Sequence, residues 1–143
     1  TNFEIDTRAP LLIRVPSMNA EGERTGALVE FVDIYPTLCD VCGLEIPSHC
    51  EGLSFSPLLS DPSRPWKQAA FSQYPRGKVM GYAMRTDRYR YIEWQEKATG
   101  EVRARELYDH ATDSQENVNC VDRADTTLLE TLSEQLHKGW QAV

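Results

Sequence analysis

The chain has 143 residues, of which 41% are hydrophobic and 9% aromatic, and a formal net charge of −7. That composition suits one folded domain with a modest core and excludes a disordered chain. The acidic balance excludes a protein that grips nucleic acid over its whole surface, and no run approaches the ~18 apolar residues of a membrane span.

In chain order, Thr1 to Arg8 is polar and reads as a loop. Ala9 to Pro16 is a continuous apolar run between prolines, which predicts a strand buried on both faces. A turn-rich loop follows from Ser17 to Thr25. Phe31 to Pro47 is the first stretch with a start, a face and a stop. Asp33 is placed to cap a helix, and Pro36 sits early, where a missing N–H costs nothing. Ile34, Leu38, Val41 and Cys42 fall three and four apart, Gly43 supplies a left-handed stop, and Pro47 prevents resumption. Ser48 to Ser63 is irregular, and a boundary is expected near Ser60 to Trp66, dividing the chain into 1–62 and 63–143.

After that boundary the pattern is an antiparallel meander. Ala69 to Tyr74 and Val79 to Arg85 predict two strands, the second with Met80, Tyr82 and Met84 on one face. Thr86-Asp87-Arg88 forms a tight turn, Tyr89 to Trp94 alternates again, Ala98-Thr99-Gly100 turns, and Val102 to Tyr108 gives a fourth strand. Asp109 to Asn119 is an acidic loop. Leu128, Leu129, Leu132 and Leu136 then place an apolar stripe on a last helix. The expected fold class is α/β, with an α+β C-terminal part built as a four-stranded antiparallel sheet packed on that helix.

Charge is uneven. From Pro75 to Arg90 the bases Arg76, Lys78, Arg85, Arg88 and Arg90 face Asp87 alone, so the window is +4 and the rest of the chain −11. Such a patch suggests an anionic ligand, or else a solvated strand face with ion pairs. Four cysteines, Cys39, Cys42, Cys50 and Cys120, are compatible with disulfides, free thiols or a metal site. Cys39-x-x-Cys42 lies near the C-terminal end of its helix, where the dipole does not activate a thiol, and it lacks a second pair for zinc. The default reading is small buried thiols. His49, His110 and His137 are scattered, and Asp109, Asp113 and Glu116 lack EF-hand spacing, so turn and capping roles are expected there.

Asp33-Ile34-Tyr35-Pro36-Thr37-Leu38, with Gly43-Leu44 and Pro47, resembles the helix segment of the sulfatases in the alkaline-phosphatase-like superfamily. Asn2-Phe3-Glu4 with Arg8-Ala9-Pro10-Leu11-Leu12 resembles the segment that follows the family's active-site lysine. Glu51-Gly52-Leu53-Ser54-Phe55, and Glu106-Leu107-Tyr108-Asp109 with Asp113, Glu116 and Asn119, extend the likeness along the chain. Ser72-Gln73-Tyr74-Pro75-Arg76, Met80-Gly81-Tyr82, Arg85-Thr86 and Tyr89-Arg90-Tyr91 are similar to the iduronate sulfatase subgroup.

The resemblance implies a sulfuric ester hydrolase whose formylglycine nucleophile, made in a C/S-x-P-x-R motif, and whose calcium are held before the segment where this chain begins. Residues 1–62 are then expected to end the catalytic domain and 63–143 to form a subdomain walling the substrate pocket, with the remainder of the sulfatase chain as partner. The expected chain is a fragment or processed piece, inactive alone, and the family implies a periplasmic, secreted or lysosomal parent. Ser60-Asp61-Pro62-Ser63-Arg64 fits the nucleophile motif by letter. Pro65-Trp66-Lys67-Gln68 follows it instead of the family's helix continuation, so it is read as a decoy. Arg76 and Lys78 are the expected substrate-binding residues, because a basic side chain of this region meets the substrate carboxylate in iduronate sulfatase-like enzymes. The substrate expected is a sulfated anionic saccharide, with no nucleic-acid partner and no membrane span. A phosphohydrolase or phosphonate-ester hydrolase of the superfamily, or a non-catalytic saccharide-binding module, are the competing readings.

Overall fold

The computed structural model describes residues 1–16, 18 and 20–139, and these form two compact units, 11–67 and 1–10 with 68–143. The second unit is the meander. Strands β1 (Ala69–Arg76), β2 (Val79–Thr86), β3 (Tyr89–Glu96) and β4 (Val102–Asp109) pair antiparallel in the order β1-β2-β3-β4. The expected strands are all present, each longer by one or two residues. The register places Phe71, Met84, Tyr91 and Leu107 in one cross-strand row. Against that row packs helix α3 (Thr126–Lys138) through Leu132 and Leu136, with Leu128 and Leu129 partly buried. Asp125 caps α3 by accepting from the Thr127 and Leu128 amides.

The next row on the same face, Gln73, Tyr82, Glu93 and Arg105, is polar. The predicted Met80-Tyr82-Met84 face is therefore core only at Met84, while Tyr82 is 38% exposed. In the polar row Glu93 is fully buried. It accepts hydrogen bonds from Tyr91, Gln95, Ser133 and His137 and pairs with Arg105 at 3.4 Å. Burial alone would raise the Glu93 carboxyl, but the bonds from Ser133, Tyr91, His137 and Gln95 outweigh it and hold it at about 2. The same pairing and burial push the Tyr91 phenol to about 12.

The opposite face buries Ala83, Ile92 and Tyr108, with Phe3 and Trp94 packed against them. Residues 1–10, of which Thr1 to Arg8 are expected to be a loop, supply this cover and include the short helix α1 (Glu4–Thr7). Asn2 donates to the Gly81 carbonyl at 2.9 Å and accepts from the Ser72 hydroxyl at 3.3 Å, and the Phe3 ring meets Tyr108 edge-on at 5.7 Å. The sheet thus has cover on both faces. A single cut between residues 62 and 63 would assign these ten residues elsewhere.

In the unit 11–67 the predicted strand from Ala9 to Pro16 is absent. Leu11 and Leu12 are 47% and 91% exposed, because all four strands among the described residues belong to the meander and none pairs with this stretch. The predicted helix is a 3-10 turn (Phe31–Asp33) running into α2 (Ile34–Val41), and Gly43 stops it with φ 67°. Asp33 does not cap the first turn of α2. Its carboxylate accepts from the Glu30 amide at 2.7 Å and the Leu53 amide at 2.9 Å, and meets Lys67 Nζ at 2.6 Å.

The buried residues of α2 are Pro36, Thr37 and Cys39, not the predicted stripe, and Leu38 is 48% exposed. Thr37 explains the rotation. Its hydroxyl donates to the Asp33 carbonyl and accepts from the Phe55 amide at 2.9 Å, tying that side of α2 to the segment carrying Phe55 and Leu58. A Cβ at Gly52 would stand 2.0 Å from the Val32 carbonyl oxygen, so the backbone approach there tolerates glycine alone.

Candidate functional site

β1 and β2 are joined by two residues, Gly77 and Lys78, with Arg76 paired to Val79. Gly77 takes φ 57° at the first central position, as a type II′ hairpin requires. Arg76 and Lys78 are exposed at this tip, and neither side chain has a hydrogen bond or ion pair among the described residues. The neighbouring turn adds Lys97, whose Nζ donates to the Gly77 carbonyl at 3.0 Å and whose amide donates to that of Lys78 at 3.0 Å. Sequence reasoning missed Lys97, since it is 19 residues from Lys78 and only the β2–β3 register brings the two turns together. Arg103 in the same region is already paired with Glu96 and Glu101.

The other three bases of the window are structural. Arg88 makes a two-pronged pair with Asp109 at 3.0 and 2.7 Å and lies 4.8 Å over the Tyr89 ring. Arg85 and Arg90 reach Glu4 Oε2 at 3.2 and 2.6 Å, and Arg90 Nε also meets Glu116 Oε1. Glu116 is held at φ 56°, unusual for a side-chain-bearing residue, and its other oxygen accepts from the Glu4 amide at 2.7 Å. Burial opposes ionisation of Glu4, but Arg85 and Arg90 outweigh it and hold the carboxyl below its ordinary range.

Glu4, His110 and Glu116 present one ligand atom each within 4.8 Å of one another. They do not fit a calcium ion. Two guanidinium groups already neutralise the two carboxylates. Arg85, which can only donate, meets His110 Nδ1 at 3.0 Å, so the ring proton sits on Nε2 and goes to Glu116 at 2.8 Å. No lone pair of the ring is left for a metal, and the cluster is a neutral anchor for residues 1–10.

Ser60, in the motif-like Ser60 to Arg64, is exposed just after a 3-10 turn (Ser56–Leu59). Asp61 accepts from the Ser63 hydroxyl at 2.8 Å and amide at 3.1 Å, which makes the segment a local turn rather than a helix-opening nucleophile. Cys39, Cys42, Cys50 and Cys120 are all free. No helix among the described residues is long and apolar enough to cross a membrane.

What the described residues offer is therefore an exposed cationic tip on the β1–β2 hairpin. An arginine there is a planar two-pronged donor and a lysine a point charge. The chain is 28% identical over 131 residues to N-acetylglucosamine-6-O-sulfatase of Bacteroides thetaiotaomicron, an alignment covering 86% of this chain and 23% of that protein. It is 28% identical to human iduronate 2-sulfatase over 66% of this chain and 28% of that protein. Human arylsulfatase K is 27% identical over 94% of this chain and 26% of its own length. The chain thus spans about a quarter of the length of these curated relatives. A structure solved in complex with its substrate D-glucosamine-2-N,6-O-disulfate superposes with a TM-score of 0.63 at 25% identity, over 82% of this chain and 26% of that one. A Bacteroides fragilis structure gives a TM-score of 0.69 at 23% identity over 80% of this chain and 25% of that one, and shows the shared fold. The family model for the C-terminal part of N-sulphoglucosamine sulphohydrolase matches residues 2–142, and the chain belongs to that family of sulfatase C-terminal regions.

Proposed function

We propose that the chain is the C-terminal part of a sulfatase that hydrolyses sulfate esters of an anionic saccharide, of the iduronate-sulfatase type, and that Arg76 and Lys78 bind that substrate. The observation that carries the reading is the family match along residues 2–142. The tip supports it: of the five bases in the cationic window, Arg76 and Lys78 are those left without a partner among the described residues. Exposed cations select anions and steer them, with an attraction that salt weakens. The formylglycine and calcium of the family would be held by the catalytic part that precedes this segment. The role of the present residues is to bind and orient a carboxylate or sulfate of the saccharide. Of residues 1–62, those after the first ten would complete the catalytic domain, and 63–143, with residues 1–10 packed on their sheet, would wall its pocket.

The test is an assay of the full-length protein on a sulfated, carboxylate-bearing oligosaccharide, an aryl phosphate and a phosphonate monoester. The expected result is release of sulfate, with KM raised about tenfold by Arg76→Ala, equivalent to ~1.4 kcal/mol. Turnover of the phosphate or phosphonate in place of the sulfate ester would favour the phosphohydrolase reading. Binding without any turnover would favour a saccharide-binding module.

A further inference from the structure

The carboxylates of the buried Glu4-Arg90-Glu116 cluster are all paired, whereas the sheet face beside Arg76 leaves Tyr74 exposed.

Side chains two apart on a strand share a face, and directly paired residues share it across strands. The register therefore places Ser72, Tyr74 and Arg76 of β1 on one face, with Gly81 of β2 and Trp94 of β3 in the row of Tyr74. It is the face covered farther along by Asn2 and Phe3, because Ser72 bonds Asn2 and Phe3 packs on Tyr108. Gly81 at the centre of that row has no side chain, and the space is used. A Cβ there would lie 2.8 Å from Trp94 Cζ3 and 2.8 Å from Asn2 Nδ2. The indole thus lies over Gly81 of β2, the strand between Trp94 and Tyr74. Its Nε1 donates to Glu106 at 2.8 Å, which fixes the ring. Tyr74 is 38% exposed, and Trp94 is partly exposed.

Two aromatic groups in one cross-strand row, with an unpaired arginine two residues along β1 on the same face, have the chemistry of a sugar-recognition surface. The C–H face of a pyranose ring is apolar and weakly positive, and packs on the negative face of an aromatic ring. The charged substituent of the same saccharide is then within reach of a guanidinium. We propose that Tyr74, with Trp94 across Gly81 from it in the same row, forms a stacking platform for a pyranose ring of the anionic saccharide whose charged group Arg76 binds. The platform rests on the sulfatase reading above, and adds to it the residues that read the ring rather than the charge. It contributes binding energy remote from the sulfur, so its loss falls on KM more than on kcat. Gly81 keeps the indole in place, and Trp94 is part of the face's core, so Tyr74 is the residue to vary.

The experiment measures kcat and KM of the full-length protein with Tyr74→Ala and Tyr74→Phe, on a sulfated oligosaccharide and on a small aryl sulfate. The expected result is a KM for the oligosaccharide about fivefold to tenfold higher in Tyr74→Ala. The kcat should hold within about twofold and the phenylalanine variant should restore KM, since stacking needs the ring and not the hydroxyl. The aryl sulfate, which has no pyranose ring, should show no difference among the three proteins. An unchanged oligosaccharide KM in Tyr74→Ala, with an active wild type, overturns the platform and leaves the sulfatase reading standing. No sulfate release from either substrate by the wild type overturns both. A KM equally raised for both substrates also overturns the platform, because it marks a general distortion.

Discussion

The two units of the chain bury their apolar residues to different extents. In the sheet unit Met84, Tyr91 and Ile92 are fully buried and Leu107 is 1% exposed, with ordered cover on both sheet faces. Residues 11–67 bury Phe55 and Leu58, but many of their large apolar residues point outward: Leu12 is 91% exposed, Phe31 78%, Leu44 63%, Tyr35 55% and Leu53 53%. A lone exposed leucine means little, but a run of them on and around one helix is not what a self-sufficient surface carries. The contrast teaches that the sheet unit closes its own core, whereas α2 and its neighbours keep an apolar side for something else to cover. That division agrees with a chain spanning about a quarter of its curated relatives.

The sheet unit depends most on Arg90. It is 2% exposed and bridges Glu4 to Glu116, whose side chain is 1% exposed. Arg90→Ala removes the guanidinium that bridges Glu4 and Glu116, leaving Glu116 without an arginine and Glu4 with Arg85 alone, and should lower the stability of the sheet unit by about 3–5 kcal/mol. It should also release residues 1–10 from the sheet. Chemical denaturation would measure the first effect and limited proteolysis near Arg8 the second. A loss under about 1 kcal/mol would mean that the cluster is not an anchor.

A smaller effect sharpens the same point at the other face. Glu93 joins β3 to α3 through Ser133 and His137, and its carboxyl is depressed from the ordinary 4.5 to about 2. A depressed carboxyl contributes stability that is fully present above its unfolded value. That stability is lost as pH falls from 4.5 toward about 2. The contribution is of the order of 2–3 kcal/mol. Melting temperature followed from pH 6 downward should fall across that window in the wild type. Glu93→Gln should start lower and show a flatter profile there. Parallel profiles would show that Glu93 does not couple the helix to the sheet.

The sequence made the meander legible because each strand alternates and each turn carries a residue suited to it, Gly77 and Gly100 above all, both at positive φ. The leucine stripe of α3 was legible for the same reason. The orientation of α2 was not, since the pattern of Ile34, Leu38, Val41 and Cys42 reports an apolar side and says nothing about which neighbour is present to bury it. Ala9 to Pro16 failed similarly: a strand pattern needs a partner strand, and none among the described residues pairs with it. Asn2 and Glu4 were hidden because their partners on the sheet and its loop, Ser72, Gly81, Arg85, Arg90 and Glu116, are at least 70 residues away. At the tip, Arg76 and Lys78 stood out by local charge, Lys97 only by register, and Tyr74 with Trp94 only once the shared face was known.

Native-state hydrogen exchange on the 143-residue chain and on the full-length protein tests the division between the two units most directly. Amides of β2 and β3 should be protected to a similar degree in both proteins. Amides of α2, from Leu38 to Val41, should be strongly protected only in the full-length protein, where its exposed apolar side is covered. Equal, strong protection of α2 in the 143-residue chain would contradict the account, because the helix would then need no further part of a sulfatase to complete it.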